Sequence, residues 1–184
     1  MSPRITGGSL GSRKLRSPRG LHVRPTPGRV KESLFSILGE RIAGARVLDL
    51  FAGTGAISFE AASRGATDVV AVESHRDTAI AIEQAAQNMA VDNVVHVFPA
   101  PAERALYRVE GPFDIVYLDP PYAEEVPLQI FRLLHERRLL APEALVVYEH
   151  AAKRILPNIP GYRSVREEVY GDVALAFLSP QAQG

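Results

Sequence analysis

Three groups of residues have the types and spacing to carry chemistry. The run Asp119-Pro120-Pro121-Tyr122 follows an apolar stretch, Phe113 to Leu118, that reads as a buried strand. Tandem prolines lock the backbone after the aspartate and supply no N–H donors, so carbonyl oxygens are left to face whatever occupies the cleft. Methylating the exocyclic amine of a base needs such acceptors. Asp119 and the Pro120 carbonyl would take the two N–H protons, drawing the nitrogen lone pair out of conjugation and toward the methyl group. Pro121 stiffens the turn, and the Tyr122 ring offers a stacking surface, a contact worth about 1 to 3 kcal/mol in single-strand binders. Taken alone, the four residues also read as a plain proline turn closing a strand.

The second group is Asp49-Leu50-Phe51-Ala52-Gly53-Thr54-Gly55, which leaves one apolar strand and enters a helix. In doubly wound sheets this is where nucleotides bind, outside the carboxyl ends of the strands. Gly53 and Gly55 allow close backbone approach. A dinucleotide fingerprint wants glycine or alanine where Ser58 stands, and no Lys-Ser/Thr pair is present to make a phosphate-gripping loop. An acidic residue without a phosphate cradle suits a cationic ligand, and S-adenosylmethionine carries an ammonium and a sulfonium. Asp49 is then expected to hold its amino-acid end, directly or through water, with Phe51, Ala52, Gly53, Thr54 and Gly55 lining the loop. The third group is Glu73 with Ser74, 20 residues beyond Gly53. That is the spacing at which a carboxylate accepts hydrogen bonds from ribose hydroxyls.

These residues need a frame, and the chain supplies a repeated one. Arg46 to Leu50, Asp68 to Val72, Val94 to Phe98, Phe113 to Leu118 and Ala144 to Tyr148 read as strands. Arg29 to Leu38, Gly55 to Arg64, Arg76 to Ala90 and Val126 to Arg138 read as helices. Such alternation implies an α/β fold with a largely parallel sheet and helices on both faces. Tyr162 to Tyr170 and Val173 to Leu178, joined by Gly171-Asp172, form a hairpin signal, so a seven-stranded sheet should end in an antiparallel pair.

The chain has 184 residues, 21 Lys+Arg, 21 Asp+Glu and no Cys, which sets aside disulfides and thiolate metal sites. The charge is unevenly placed. Met1 to Lys31 holds eight basic residues and no acidic one, while the remainder has 13 basic against 21 acidic. We expect residues 1–28 to form a small basic β-hairpin arm and residues 29–184 the main domain. The asymmetry suggests an RNA or DNA partner, the plainer alternative being a solvated tail. Arg4, Arg13, Lys14, Arg24, Arg29 and Lys31 are the expected phosphate contacts. The five His show no metal-ligand spacing, so no metal is expected and the His are read as surface or strand-end residues. Glu149, at the end of the Ala144 to Tyr148 strand, could face the cleft, a solvated carboxylate being the plainer reading. No window is apolar enough for a membrane span, and a cytoplasmic monomer is the expectation.

Asp49 to Gly55, Glu73 and Asp119 to Tyr122 together resemble the class I S-adenosylmethionine-dependent amino methyltransferases, which are Rossmann-like. Arg4-Ile5-Thr6-Gly7-Gly8, Arg24-Pro25-Thr26 with Arg29-Val30-Lys31-Glu32, and Val47 to Gly55 continuing through Glu60-Ala61 and Ser63-Arg64-Gly65-Ala66 resemble the RsmD family. That resemblance covers nearly the whole chain. It implies a bacterial 16S ribosomal RNA guanine-N2 methyltransferase, acting on the guanine conventionally numbered 966 within an assembling small subunit, with S-adenosylhomocysteine as product. The chain departs from the usual pattern at Pro99-Ala100-Pro101-Ala102, where a polar side chain ordinarily meets the adenine edge; the Ala102 N–H or Glu103 is the substitute.

Three other readings stay open at this stage. A DNA adenine or cytosine N-methyltransferase would share the Asp119 chemistry but has little room here for a target-recognition domain. A non-catalytic RNA-binding assembly factor would bind RNA without cofactor. A nicotinamide-dependent oxidoreductase is disfavoured by Ser58.

Overall fold

The computed structural model describes residues 4–15, 28–121 and 125–181. Along the chain run α1 (Gly28–Leu38), a 3-10 turn (Gly39–Ile42), β1 (Arg46–Asp49), α2 (Ala56–Ser63), β2 (Asp68–Val72), α3 (Arg76–Asn88) and β3 (Val95–Phe98). There follow α4 (Ala102–Leu106), β4 (Phe113–Leu118), α5 (Leu128–Glu136), β5 (Leu140–Ala151), β6 (Tyr162–Tyr170) and β7 (Val173–Pro180).

The strands form one sheet in the order β3-β2-β1-β4-β5-β7-β6. The first five are parallel, and β7 pairs antiparallel with both β5 and β6. The expected seven strands and closing hairpin are therefore present, with Gly171 at φ 61° in the turn between Tyr170 and Val173. Strand order reverses between β1 and β4, which opens a crevice at their carboxyl ends.

Alternation along each strand divides the core into two layers. Val47, Val69, Ile115, Tyr117 and Val147 pack beneath α1, α2 and α3. Leu48, Val72, Val116, Leu118 and Val146 pack on the other face with α4 and α5. Both faces are covered, which is why these strands read as continuous apolar runs instead of alternating ones. The short helix α4 had no counterpart in the sequence reading, because five residues after Pro101 give too little periodicity to detect. Leu140–Ala151 is longer than the expected strand because Pro142 and Glu143 lie at its exposed end, where a proline is tolerated.

The described part of the basic arm is not a separate body. Its two expected strands reduce to a single antiparallel bridge, Arg4 to Lys14, and Ile5, Leu10 and Leu15 enter the same core layer as α1 and α2. Gly8 must be glycine: its φ is 74°, and a Cβ there would lie 1.9 Å from the Ser63 carbonyl oxygen. No helix among the described residues is long and apolar enough to cross a membrane.

Candidate active site

The carboxyl ends of β2, β1 and β4 bring the three chemical groups to one edge of the sheet. Asp49 pairs in register with Ala71 on one side and Tyr117 on the other. Glu73 and Asp119 are each two residues beyond those partners, so they flank the Asp49 loop from either side of the crevice.

The loop is held by backbone bonds. Ala52 N–H donates to Val72 O at 2.9 Å, and Gly55 N–H to Ala52 O at 2.7 Å. Gly55 has φ 75°, and a Cβ on it would come within 2.8 Å of the Phe59 ring. A tight left-handed turn against an aromatic core residue therefore launches α2, and only glycine fits it.

Asp49 is buried at 1% exposure. Its Oδ2 accepts a 2.7 Å bond from the Ser58 hydroxyl, whereas Oδ1 has no hydrogen-bonding partner. Burial pushes its carboxyl up to about 7, the Glu73 charge adding to the rise while the Ser58 hydroxyl opposes it. A buried carboxylate oxygen left unsatisfied is costly and calls for a partner. A ligand ammonium, or a water bridging to one, would supply it. The serine that breaks the dinucleotide fingerprint is thus the residue that orients the acid.

Glu73 is half-buried and fixed at both oxygens: Gly53 N–H donates to Oε2 at 2.9 Å and His75 N–H to Oε1 at 2.7 Å. Each oxygen has further lone-pair capacity, so the carboxylate is oriented yet able to accept ribose hydroxyls. The donor set fits S-adenosylmethionine at both its charged and its ribose ends. Thr54 and Ala52 are buried in the loop, Ser74 is exposed, and Phe51 packs half-buried against the α4 and α5 layer. Ala102 is buried at the first position of α4, where an N–H has no intrahelical acceptor; Glu103 beside it is exposed.

Asp119 and Pro120 are half-buried at the end of β4, and Pro121 is exposed. Tyr122 and Arg24 lie outside the described residues. Glu149 follows the register pair Leu118 and Tyr148, which places it beside Asp119 at the top of the neighbouring strand. It is not a free solvated carboxylate as expected, because the Tyr117 hydroxyl donates to its Oε2 from the adjacent strand.

One further expectation needs correction. Lys31 cannot meet a phosphate as placed: its side chain is 3% exposed, its Nζ lies 3.0 Å from Glu60 Oε2, and it also donates to the Arg4 carbonyl. It falls on the inner face of α1 with Val30, Leu34 and Phe35. His150 is a strand-end residue but a buried one, its ring stacked on Tyr148 with centroids 5.3 Å apart. Tyr162 is a buried packing residue, donating its hydroxyl to the Phe131 carbonyl at 2.8 Å. Arg4, Arg13, Lys14 and Arg29 are exposed. Among the described residues no group of three or more His, Asp or Glu is arranged to hold a metal ion.

In the sequence Glu60 stands only as part of the family motif, with no role assigned to it. It is wholly buried, and its carboxylate receives Thr6 N–H at 2.8 Å, Thr6 Oγ1 at 2.7 Å, Gly7 N–H at 2.9 Å and Arg64 Nε at 2.9 Å besides Lys31. A Glu in a short apolar helix was the available signal.

Comparison with known proteins places this geometry. The family model described as Conserved hypothetical protein 95 matches residues 3–179. The chain is 36% identical over 184 residues to Ribosomal RNA small subunit methyltransferase D of Escherichia coli (strain K12), covering 98% of this chain and 91% of that one. It is 33% identical over 178 residues to YlbH of Bacillus subtilis (strain 168), covering 95% and 97%. The solved structure of yhhF from Escherichia coli superposes with a TM-score of 0.88 at 32% identity, covering 98% of each chain.

Proposed function

Because the chain belongs to the RsmD family, whose model carries the description Conserved hypothetical protein 95, we propose that it methylates the exocyclic N2 amine of one guanine in small-subunit (16S) ribosomal RNA, with S-adenosylmethionine as donor. It is an rRNA methyltransferase with a Rossmann-like fold. The finer reading rests chiefly on one observation: the unpartnered, buried Oδ1 of Asp49 sits between an anchored Glu73 and the Asp119-Pro120 turn.

When bound, S-adenosylmethionine supplies an activated methyl whose leaving group is neutral. The protein's part is then mostly positioning and electrostatics. Asp49 holds the ammonium, Glu73 accepts the ribose hydroxyls, and the Ala102 N–H takes the place of the missing polar side chain at the adenine edge. Asp119 and the Pro120 carbonyl accept the two amine protons of the guanine and aim the nitrogen lone pair. Asp119 is also the group on hand for the proton released on transfer. The amine is hidden in a duplex, so the base is presented unpaired or flipped. Arg4, Arg13, Lys14 and Arg29 meet the phosphates. The protein works as a cytoplasmic monomer on an assembling small subunit.

The test is transfer of labelled methyl to three acceptors, unmethylated small subunits, naked 16S rRNA and duplex DNA, with the modified base mapped. N2-methylguanine in rRNA is the expected product. Label in DNA alone would overturn the substrate, and tight RNA binding without transfer would favour an assembly factor.

A further inference from the structure

We propose that Glu60 and Ser63 are positioning residues for RNA recognition: together they clamp the inner side of the described part of the N-terminal arm onto α2, so that Arg4 and Lys14, which face each other across its bridge, stand outward. The inference rests on the reading of that arm as an rRNA-binding surface.

The clamp runs from Arg4 to Leu10. Lys31 donates to the Arg4 carbonyl, Ile5 is buried at 1% exposure, and Glu60 takes the Thr6 hydroxyl with the Thr6 and Gly7 N–H groups. Ser63 then donates from its hydroxyl to Gly7 O at 2.5 Å and accepts Leu10 N–H at 2.8 Å, while its carbonyl accepts Ser9 N–H at 2.8 Å. The polar groups that a free hairpin would offer to water are bound inward instead.

What faces outward is charge. Arg4 and Lys14 are directly paired across the bridge, Arg13 adjoins them, and all three are exposed. Like charges in facing positions repel, so this arrangement is unfavourable by itself and improves when an anion lies across it. A polyphosphate backbone is the matching chemistry. The same helix that clamps the arm also orients Asp49 through Ser58, yet the two contacts lie on different faces of α2, so the arm can be loosened without touching the cofactor acid.

The experiment uses the full chain and unmethylated small subunits. Thr6→Ala and Ser63→Ala are compared with wild type for KM toward the subunit, kcat, S-adenosylmethionine affinity and thermal midpoint. Thr6 is exposed, so that variant folds. Losing the Thr6 hydrogen bond to the Glu60 carboxylate should raise the subunit KM about tenfold. kcat and cofactor affinity should stay at wild-type values, and Thr6→Ser should restore the KM. An unchanged KM in both alanine variants would overturn the proposal, as would a loss confined to kcat and cofactor affinity, which marks a purely structural clamp. The double reversal Arg13→Glu with Lys14→Glu separates the two levels. If it weakens subunit binding while Thr6→Ala and Ser63→Ala do not, the clamp fails and the arm reading stands; if it has no effect, the arm reading fails and this proposal with it.

Discussion

Lys31 and Glu60 meet at 3.0 Å with side chains 3% and 0% exposed, an ion pair sealed between α1, α2 and the arm. A buried pair of this kind is weak evidence for stability, since desolvating both charges offsets their attraction. Removing one partner is another matter. Glu60→Ala leaves the Lys31 ammonium buried and uncompensated, and should cost roughly 3 to 5 kcal/mol. Urea denaturation reads the loss, and the double replacement Lys31→Met with Glu60→Leu should recover only the part due to the stranded ammonium, because the Thr6 and Gly7 N–H groups still lose their acceptor.

The same carboxylate gives a pH dependence. Burial raises the pKa of Glu60, but the Thr6 hydrogen bonds and Lys31 outweigh it, and the net shift is downward. A depressed folded value means that the stabilisation is present above the ordinary carboxylate range and is lost as pH falls through the folded value. Acid unfolding followed by circular dichroism should show this limb, and Glu60→Gln should flatten it.

Asp49 works in the opposite direction. Its folded value, about 7 against an ordinary 3.8, means stability is fullest below 3.8 and falls as pH rises through about 7. Cofactor binding should have the reverse slope, because only the ionised form attracts an ammonium. S-adenosylmethionine affinity should weaken as pH drops below 7, by up to about tenfold per pH unit, with proton release on binding near neutrality. Calorimetry in buffers of different ionisation enthalpy measures both effects, and a pH-independent affinity would sink the role given to Asp49.

Asp119→Ala should abolish transfer while sparing the cofactor. Loss of one positioned acceptor at the reacting amine is expected to slow single-turnover methylation by about a hundredfold or more. Wild-type affinity for S-adenosylmethionine in the same variant shows that the defect is at the target base.

Salt dependence separates exposed cations from the buried one. Arg13→Ala should lower the slope of log affinity for RNA against log salt by about one, as expected for a lost phosphate contact. Lys31→Ala should weaken the fold and leave that slope unchanged; an equal slope change in both variants would contradict the inward placement of Lys31.

Much of this protein was written plainly in its sequence. The strands Arg46 to Asp49, Asp68 to Val72 and Phe113 to Leu118 announce themselves by mostly apolar runs, because a parallel sheet covered on both faces has no polar side to display. Asp49 to Gly55, Glu73 and Asp119-Pro120 follow their strands directly, so once the strand ends are known the shared edge is known too. Local pattern could not say which charged residues face inward. Lys31 lies within a basic stretch and reads as a surface residue; only the packing of α1 against α2 turns it toward Glu60, 29 positions away. Glu149 likewise reads as solvated until the neighbouring strand brings the Tyr117 hydroxyl to it. Periodicity fixes an element and its buried face, whereas the partner of a polar side chain depends on contacts between residues far apart in the chain. Those contacts are settled by how the elements pack, since a buried charge is tolerated only where the fold delivers its counterpart.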